Sequence, residues 1–123
     1  MSERPFSMLD VLLDAEPLSQ VVFIHDYIQL VFNGMHFNLY GAVTVHHAGR
    51  TLLRKDTGFC DELCGLIGQR IIDTSTEERQ YAAVTFEKGM TVAVSVRTED
   101  NVGPEAFSLG DNKGLMVVGE VEG

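Results

Sequence analysis

Residues 21–47 read VVFIHDYIQLVFNGMHFNLYGAVTVHH, and the Asn33-Gly34 pair at their centre decides how the chain folds. A two-residue type I′ turn needs positive φ at both central positions, so Asn-Gly between two β-rich runs predicts a hairpin. Taken to its limits, that hairpin spans Val21 to His47. With Phe32 opposite Met35, one face collects Leu30/Phe37, Ile28/Leu39, Asp26/Gly41, Ile24/Val43 and Val22/Val45. The other face carries Val31/His36, Gln29/Asn38, Tyr27/Tyr40, His25/Ala42, Phe23/Thr44 and Val21/His46. The first face is apolar apart from Asp26/Gly41 and is the expected core, while the second is mixed and suits solvent or a partner. A one-residue slip would exchange the two faces and expose the apolar set, which fixes the register.

On the N-terminal side, Met8, Leu9, Leu12 and Leu13 recur at helical spacing, and Ser7 and Asp10 stand at capping-box distance, predicting a short helix from about Ser7 to Glu16 that Pro17 ends. On the C-terminal side, a turn is expected near Ala48-Gly49-Arg50, and no element is assigned up to Thr57. A second helix follows over Phe59 to Ile67, with Thr57 as its N-cap, Asp61 and Glu62 in its first turn and Gly68 just past its end. A strand over Arg70 to Thr76 and a polar loop over Glu77 to Gln80 lead into another hairpin. A three-residue loop, Glu87-Lys88-Gly89, pairs Phe86/Met90, Val84/Val92 and Ala82/Val94 on one apolar face, whereas a two-residue loop would set Phe86 against Thr91; the first is preferred, with Gly89 left-handed. Arg97 to Glu105 reads as loop, Gly110 to Lys113 as a turn and Leu115 to Val118 as a last strand. The fold class that follows is α+β: a mainly antiparallel sheet of about five or six strands built from hairpins, covered by two short helices, with residues 1–123 as one domain.

Hydrophobic residues at 45% and charged residues at 22% describe an ordinary globular chain able to pack a core. Eighteen acidic against nine basic side chains leave a net charge of −9, a field that repels phosphate backbones, so no nucleic-acid partner is expected. No run approaches the roughly 18 apolar residues of a membrane helix, and MSERPFSML lacks a basic region followed by an apolar one; the expected compartment is the cytoplasm, with no membrane partner. Cys60 and Cys64, four apart in the second helix, resemble neither a disulfide framework nor a four-ligand zinc site, and both are read as reduced, small buried hydrophobes.

Asp26 breaks its pattern most sharply. Placed among apolar residues opposite the side-chain-free Gly41, it reads either as a carboxylate lining a cleft that Gly41 leaves open, or as a residue turned outward by a bulge or held by a structural hydrogen bond. His25 adjoins it, yet neighbours in a strand point to opposite faces and do not bond directly; His46-His47 meet the same objection. No His-Glu-x-x-His motif, nucleophile elbow, phosphate-cradling glycine loop or dinucleotide fingerprint is present, so no metal, cofactor or catalytic set is assigned. Gly103-Pro104-Glu105-Ala106-Phe107 reads as a rigid loop presenting Glu105, with Glu99 and Asp100 beside it, three carboxylates that suit Arg or Lys of a partner.

The string His25-Asp26-Tyr27-Ile28-Gln29-Leu30, the helix with Leu63 through Gly68, the Phe86-to-Gly89 turn and Pro104-Glu105-Ala106-Phe107 together resemble small uncharacterised bacterial domains, some of which are similar to immunity proteins encoded beside secreted toxins. The resemblance implies an α+β interaction domain and supplies no catalytic residues. The leading expectation is therefore a non-catalytic module that binds a protein partner or a second copy of itself as a homodimer. Its surface would be Phe23, Tyr27 and Tyr40 together with Glu99, Asp100 and Glu105. The competing expectation is a small-ligand or hydrolytic site around Asp26, His25 and His47.

Overall fold

A computed structural model describes residues 8–122. In chain order the strands are β1 (Gln20–Ile24), β2 (Tyr27–Val31), β3 (Met35–Leu39), β4 (Val43–His47), β5 (Arg50–Leu53), β6 (Ile71–Glu77), β7 (Tyr81–Phe86), β8 (Thr91–Ser95), β9 (Glu105–Asp111) and β10 (Met116–Glu120); helix α1 (Phe59–Cys64) lies between β5 and β6. Short 3-10 segments cover Met8–Asp14 and Thr98–Asp100. The ten strands form two antiparallel five-stranded sheets, ordered β1-β2-β3-β9-β10 and β5-β4-β8-β7-β6. The expectation of a mainly antiparallel protein with short helices holds; that of five or six strands does not. No helix among the described residues is long and apolar enough to cross a membrane.

The Asn33-Gly34 corner forms as read, with φ of 29° and 100°. The register around it follows: Leu30 faces Phe37, Ile28 faces Leu39, and Gln29 faces Asn38. The hairpin stops there. His25-Asp26 make a second two-residue turn, so β1 folds back on β2 with Ile24 opposite Tyr27 and Phe23 opposite Ile28. The expected pairs Ile24/Val43, Val22/Val45, Asp26/Gly41, Phe23/Thr44, His25/Ala42 and Val21/His46 are absent, because after Tyr40 the chain leaves the first sheet and β4 pairs β8 in the second, Val43 against Val94. The second predicted hairpin is correct in detail: Val84 faces Val92, Ala82 faces Val94, the Phe86 N–H donates to the Met90 carbonyl over 2.9 Å, and Gly89 has φ of 99°.

The inward faces of both sheets feed one core. Ile28, Leu30, Phe37, Leu39 and Leu109 of the first sheet belong to the same buried cluster as Val43, Val45, Val84, Val92 and Val94 of the second. Phe37 and Phe107 meet edge to face at 5.7 Å between ring centroids, and Phe32 stacks on Phe86 at 6.4 Å. Burying side chains of this size contributes about 1.5–3 kcal/mol each, which is what opposes the chain entropy of so many short strands. Two strands were not read from the sequence, β5 within the unassigned stretch and β9, which inserts between β3 and β10 and completes the first sheet.

The helical segments are shorter than expected. The first is 3-10, and its buried residues Leu9 and Leu12, with Ala15 just past its end, recur every third position, the period of that helix; Leu13, expected on the packed face, is 41% exposed. Its proposed cap Ser7 lies outside the described residues. Asp10 instead accepts a 2.6 Å hydrogen bond from the Thr74 hydroxyl of β6, which pins the segment to the second sheet. Helix α1 ends at Cys64 rather than Ile67, and Gly58, at φ of 94°, takes the cap position expected of Thr57. Phe59 and Leu63 turn inward, one helical turn apart, so Cys60 and Cys64 fall on the solvent side; both are free and exposed, not buried.

The turn joining β4 to β5 puts Ala48 at φ of 53° and Gly49 at φ of 80°. An alanine there carries the left-handed penalty that Asn largely avoids. Ala48→Asn is expected to stabilise the fold by about 1 kcal/mol and raise Tm by about 4 °C, measured by thermal denaturation; an unchanged or lowered Tm would contradict the turn.

In the turn from β9 to β10, Asp111 Oδ1 accepts hydrogen bonds from the backbone N–H groups of Leu115 and Lys113, at 2.8 and 2.9 Å. These two donors, the Leu115 amide foremost, hold the Asp111 carboxyl below the usual aspartate range. The lowered folded-state value means that the stabilisation is fully present above the unfolded carboxyl pKa and disappears as pH falls through the lowered one. Asp111→Asn should therefore reduce Tm at about pH 6, and the difference from the parent chain should shrink by about pH 3; a difference that grows on acidification would reverse the assignment.

Candidate functional site

The chain changes sheets at Tyr40-Gly41-Ala42, and the backbone there is gripped from both sides. The N–H groups of Tyr40 and Gly41 donate to the Ala106 carbonyl at 2.9 and 3.1 Å; that of Ala42 donates to the Asp100 carbonyl at 3.1 Å, and that of Ser95 to the Ala42 carbonyl at 2.9 Å. Gly41 is buried, and a Cβ on it would lie 2.4 Å from the Ser95 carbonyl oxygen and 2.7 Å from Asn101 Oδ1. Its missing side chain therefore makes room for a neighbouring strand and the Asn101 amide, and not for a ligand opposite Asp26. Strands that switch sheets do so at such bends, where ladder hydrogen bonding must be rerouted.

The loop that closes over this corner is stitched internally. Asn101 Nδ2 donates to the carbonyls of Ser95 and Arg97 at 3.1 and 2.8 Å. The Ser95 hydroxyl donates to Asp100 Oδ2 at 2.6 Å, and Arg97 pairs with Glu99. Glu99 is held below the usual glutamate range, first by a backbone amide hydrogen bond and then by the Arg97 guanidinium. Two of the three loop carboxylates are thus occupied inside the loop, leaving Glu105 as the one that faces outward into a cleft.

That cleft opens between the His25-Asp26 turn and the Val102-Gly103-Pro104 segment. One arm, of about 370 Å³, is walled by Asp26, Tyr27, Tyr40, Pro104 and Glu105. A second arm, of about 550 Å³, shares Asp26, Tyr27 and Tyr40 and extends to His25, Arg54 and Lys55. Val102 borders both and is fully exposed. The two tyrosine rings lie 5.2 Å apart, tilted by 56°. Tyr40 is fixed by a hydrogen bond between its hydroxyl and Ser108 Oγ at 3.0 Å, the end of a polar row across the sheet in which Gln29 donates to Asn38 at 2.8 Å and Asn38 to Ser108 at 3.0 Å. An aromatic wall with its polar tip satisfied is a stiff binding surface.

Asp26, Tyr27, Tyr40 and Glu105 of the expected sites therefore come together, with His25 in the adjoining arm. Asp26 is exposed at a turn and not enclosed by the core, which is the outward alternative weighed for it. The others separate. Phe23 pairs with Ile28 and so lies on the sheet face away from Tyr27 and Tyr40, 36% exposed at the edge strand. His47 stands at the far end of β4 from Val43, which borders the cleft, a distance of about 13 Å along the strand, and its Nδ1 lies 3.9 Å from Glu62 Oε1. No group of three His, Cys, Asp or Glu among the described residues is arranged to hold a metal. Arg54, Lys55 and Val102 were not singled out from the sequence, although a lone apolar Val102 inside an otherwise polar loop is a readable sign. Compared with models of known families, with curated proteins and with solved structures, the chain matches none.

Gly41→Ala tests the corner. The Cβ meets backbone that has no free space to yield, so a loss of about 2 kcal/mol is expected in chemical denaturation; a change within about 0.5 kcal/mol would mean that the strands do not cross as described.

Proposed function

We propose that the chain is a non-catalytic binding module that engages a protein partner, or a second copy of itself, through the cleft at the sheet-switching corner. The observation that carries the reading is the tyrosine pair beside the fully exposed Val102. Rigid aromatic surface next to an exposed aliphatic side chain is the composition that interface cores favour, since few rotamers are frozen on binding. A role in binding is also what the resemblance to immunity-like domains implies. A small-ligand site is the second reading, supported by the roomier arm beside His25 and Asp26; His47 is too far along β4 to take part.

A photo-crosslinking side chain at position 102, introduced in the cell that makes the protein, should yield a discrete protein adduct whose mass separates a second copy from another partner. The same crosslinker at Ile72, 57% exposed on β6, should not. Tyr27→Ser with Tyr40→Ser should abolish the adduct. Because Tyr40 also supports the polar row, Tyr27→Ser alone serves as the milder variant and should reduce it by about fivefold or more. No adduct at position 102, or one indifferent to both variants, would refute the reading.

A further inference from the structure

We infer that the acidic arm of the cleft receives the guanidinium group of an arginine side chain carried by a basic segment of the partner. The inference rests on the reading of the cleft as a partner-binding surface and names what enters it. Asp26 and Glu105 both line the narrower arm, and neither carboxylate has a hydrogen-bond or ion-pair partner among the described residues. Glu105 is moreover the ladder partner of Glu120 of β10, at an irregularity in the pairing, and the Glu120 carboxylate is equally without a partner among the described residues. Like charges at paired positions of a sheet repel, which favours an incoming cation beside them.

The chain's own cations do not meet that need. Arg54 donates to the Ile24 carbonyl at 2.8 Å, and both it and Lys55 border the other arm. The Tyr27 and Tyr40 rings line the same arm, and ring faces attract a cation. A guanidinium suits this arrangement better than an ammonium because its planar fork hydrogen-bonds to carboxylates on two sides while its face lies on a ring, and because it sheds water more readily. The volume of about 370 Å³ is at the small end of binding cavities, which fits one long side chain rather than a folded element. The net charge of −9 draws a basic segment toward the cleft from a distance.

The test is an NMR titration of the isotope-labelled full chain with three blocked tripeptides: acetyl-Gly-Arg-Gly-amide, its lysine analogue, and its citrulline analogue, which keeps the shape of arginine without the charge. The arginine peptide should move the amide signals of Asp26, Tyr27, Gly103 and Glu105. Lysine should bind several-fold more weakly and citrulline roughly tenfold more weakly. Asp26→Asn with Glu105→Gln, both at exposed positions, should weaken the arginine peptide by roughly tenfold, while Glu99→Gln should not. Equal binding of arginine and citrulline, shifts outside the cleft, or an indifferent double variant would overturn the inference. Should the position-102 adduct persist and depend on Tyr27 while the arginine peptide leaves the cleft unshifted, the partner-binding reading stands and the guanidinium assignment alone falls.

Discussion

The end of β8 and the Asn101 side chain close on Gly41, just past the end of β3, and leave no room for a methyl group. A Cβ there would sit 2.4 Å from the Ser95 carbonyl oxygen. From that contact the rest of the architecture follows. It lets a single run of chain supply β3 to one sheet and β4 to the other, and so ties the two sheets together at one corner without a separate connection. The valines of β4 then reach the same buried cluster as the leucines and phenylalanine of β2 and β3, and one core serves both sheets.

The cleft is a consequence of the same corner. Where the sheets part, backbone donors and acceptors are used up in holding the strands together, and side chains from three separate segments are left around a gap: Asp26 and Tyr27 from one turn, Tyr40 from the end of β3, Pro104 and Glu105 from the approach to β9. The loop above it spends its own charges internally, with Asp100 accepting from Ser95 and Glu99 paired with Arg97. What remains facing outward is a pair of aromatic rings, carboxylates on one side and the Arg54-Lys55 pair on the other. Such a surface gains affinity from stiffness and from charge left uncompensated in the free protein.

The sequence was legible wherever a local rule had one solution. Asn33-Gly34 admits few turns, and only one loop length after Phe86 puts Met90, Val92 and Val94 together; the second hairpin is as read, and the first is as read between Ile28 and Leu39. The corner was not legible, and the reason is parity. Val43 and Val45 are buried whether β4 continues the first hairpin or crosses to the second sheet, so alternation along 21–47 is equally satisfied by both arrangements. The turn at His25-Asp26 lacks the glycine that would mark it, and its polar pair reads equally well as strand. Asp26 stands out as the residue that breaks the apolar pattern, and it is both turned outward and part of the cleft lining; Phe23 groups with the tyrosines only if the long hairpin is taken to its limits, which puts it on their face. Arg54 and Lys55 stand far from Tyr27 in sequence, and only the pairing of β5 with β4 brings them near.

The most direct measurement of the sheet switch is the set of cross-strand contacts between backbone protons in solution, read by NMR. The corner predicts contacts of Val43 with Val94 and Leu39 with Phe107 on either side of Gly41, together with Ile24 against Tyr27 across the tight turn. Contacts of Ile24 with Val43 and Val22 with Val45 would instead mean that one continuous hairpin runs through Gly41, and the cleft would not exist.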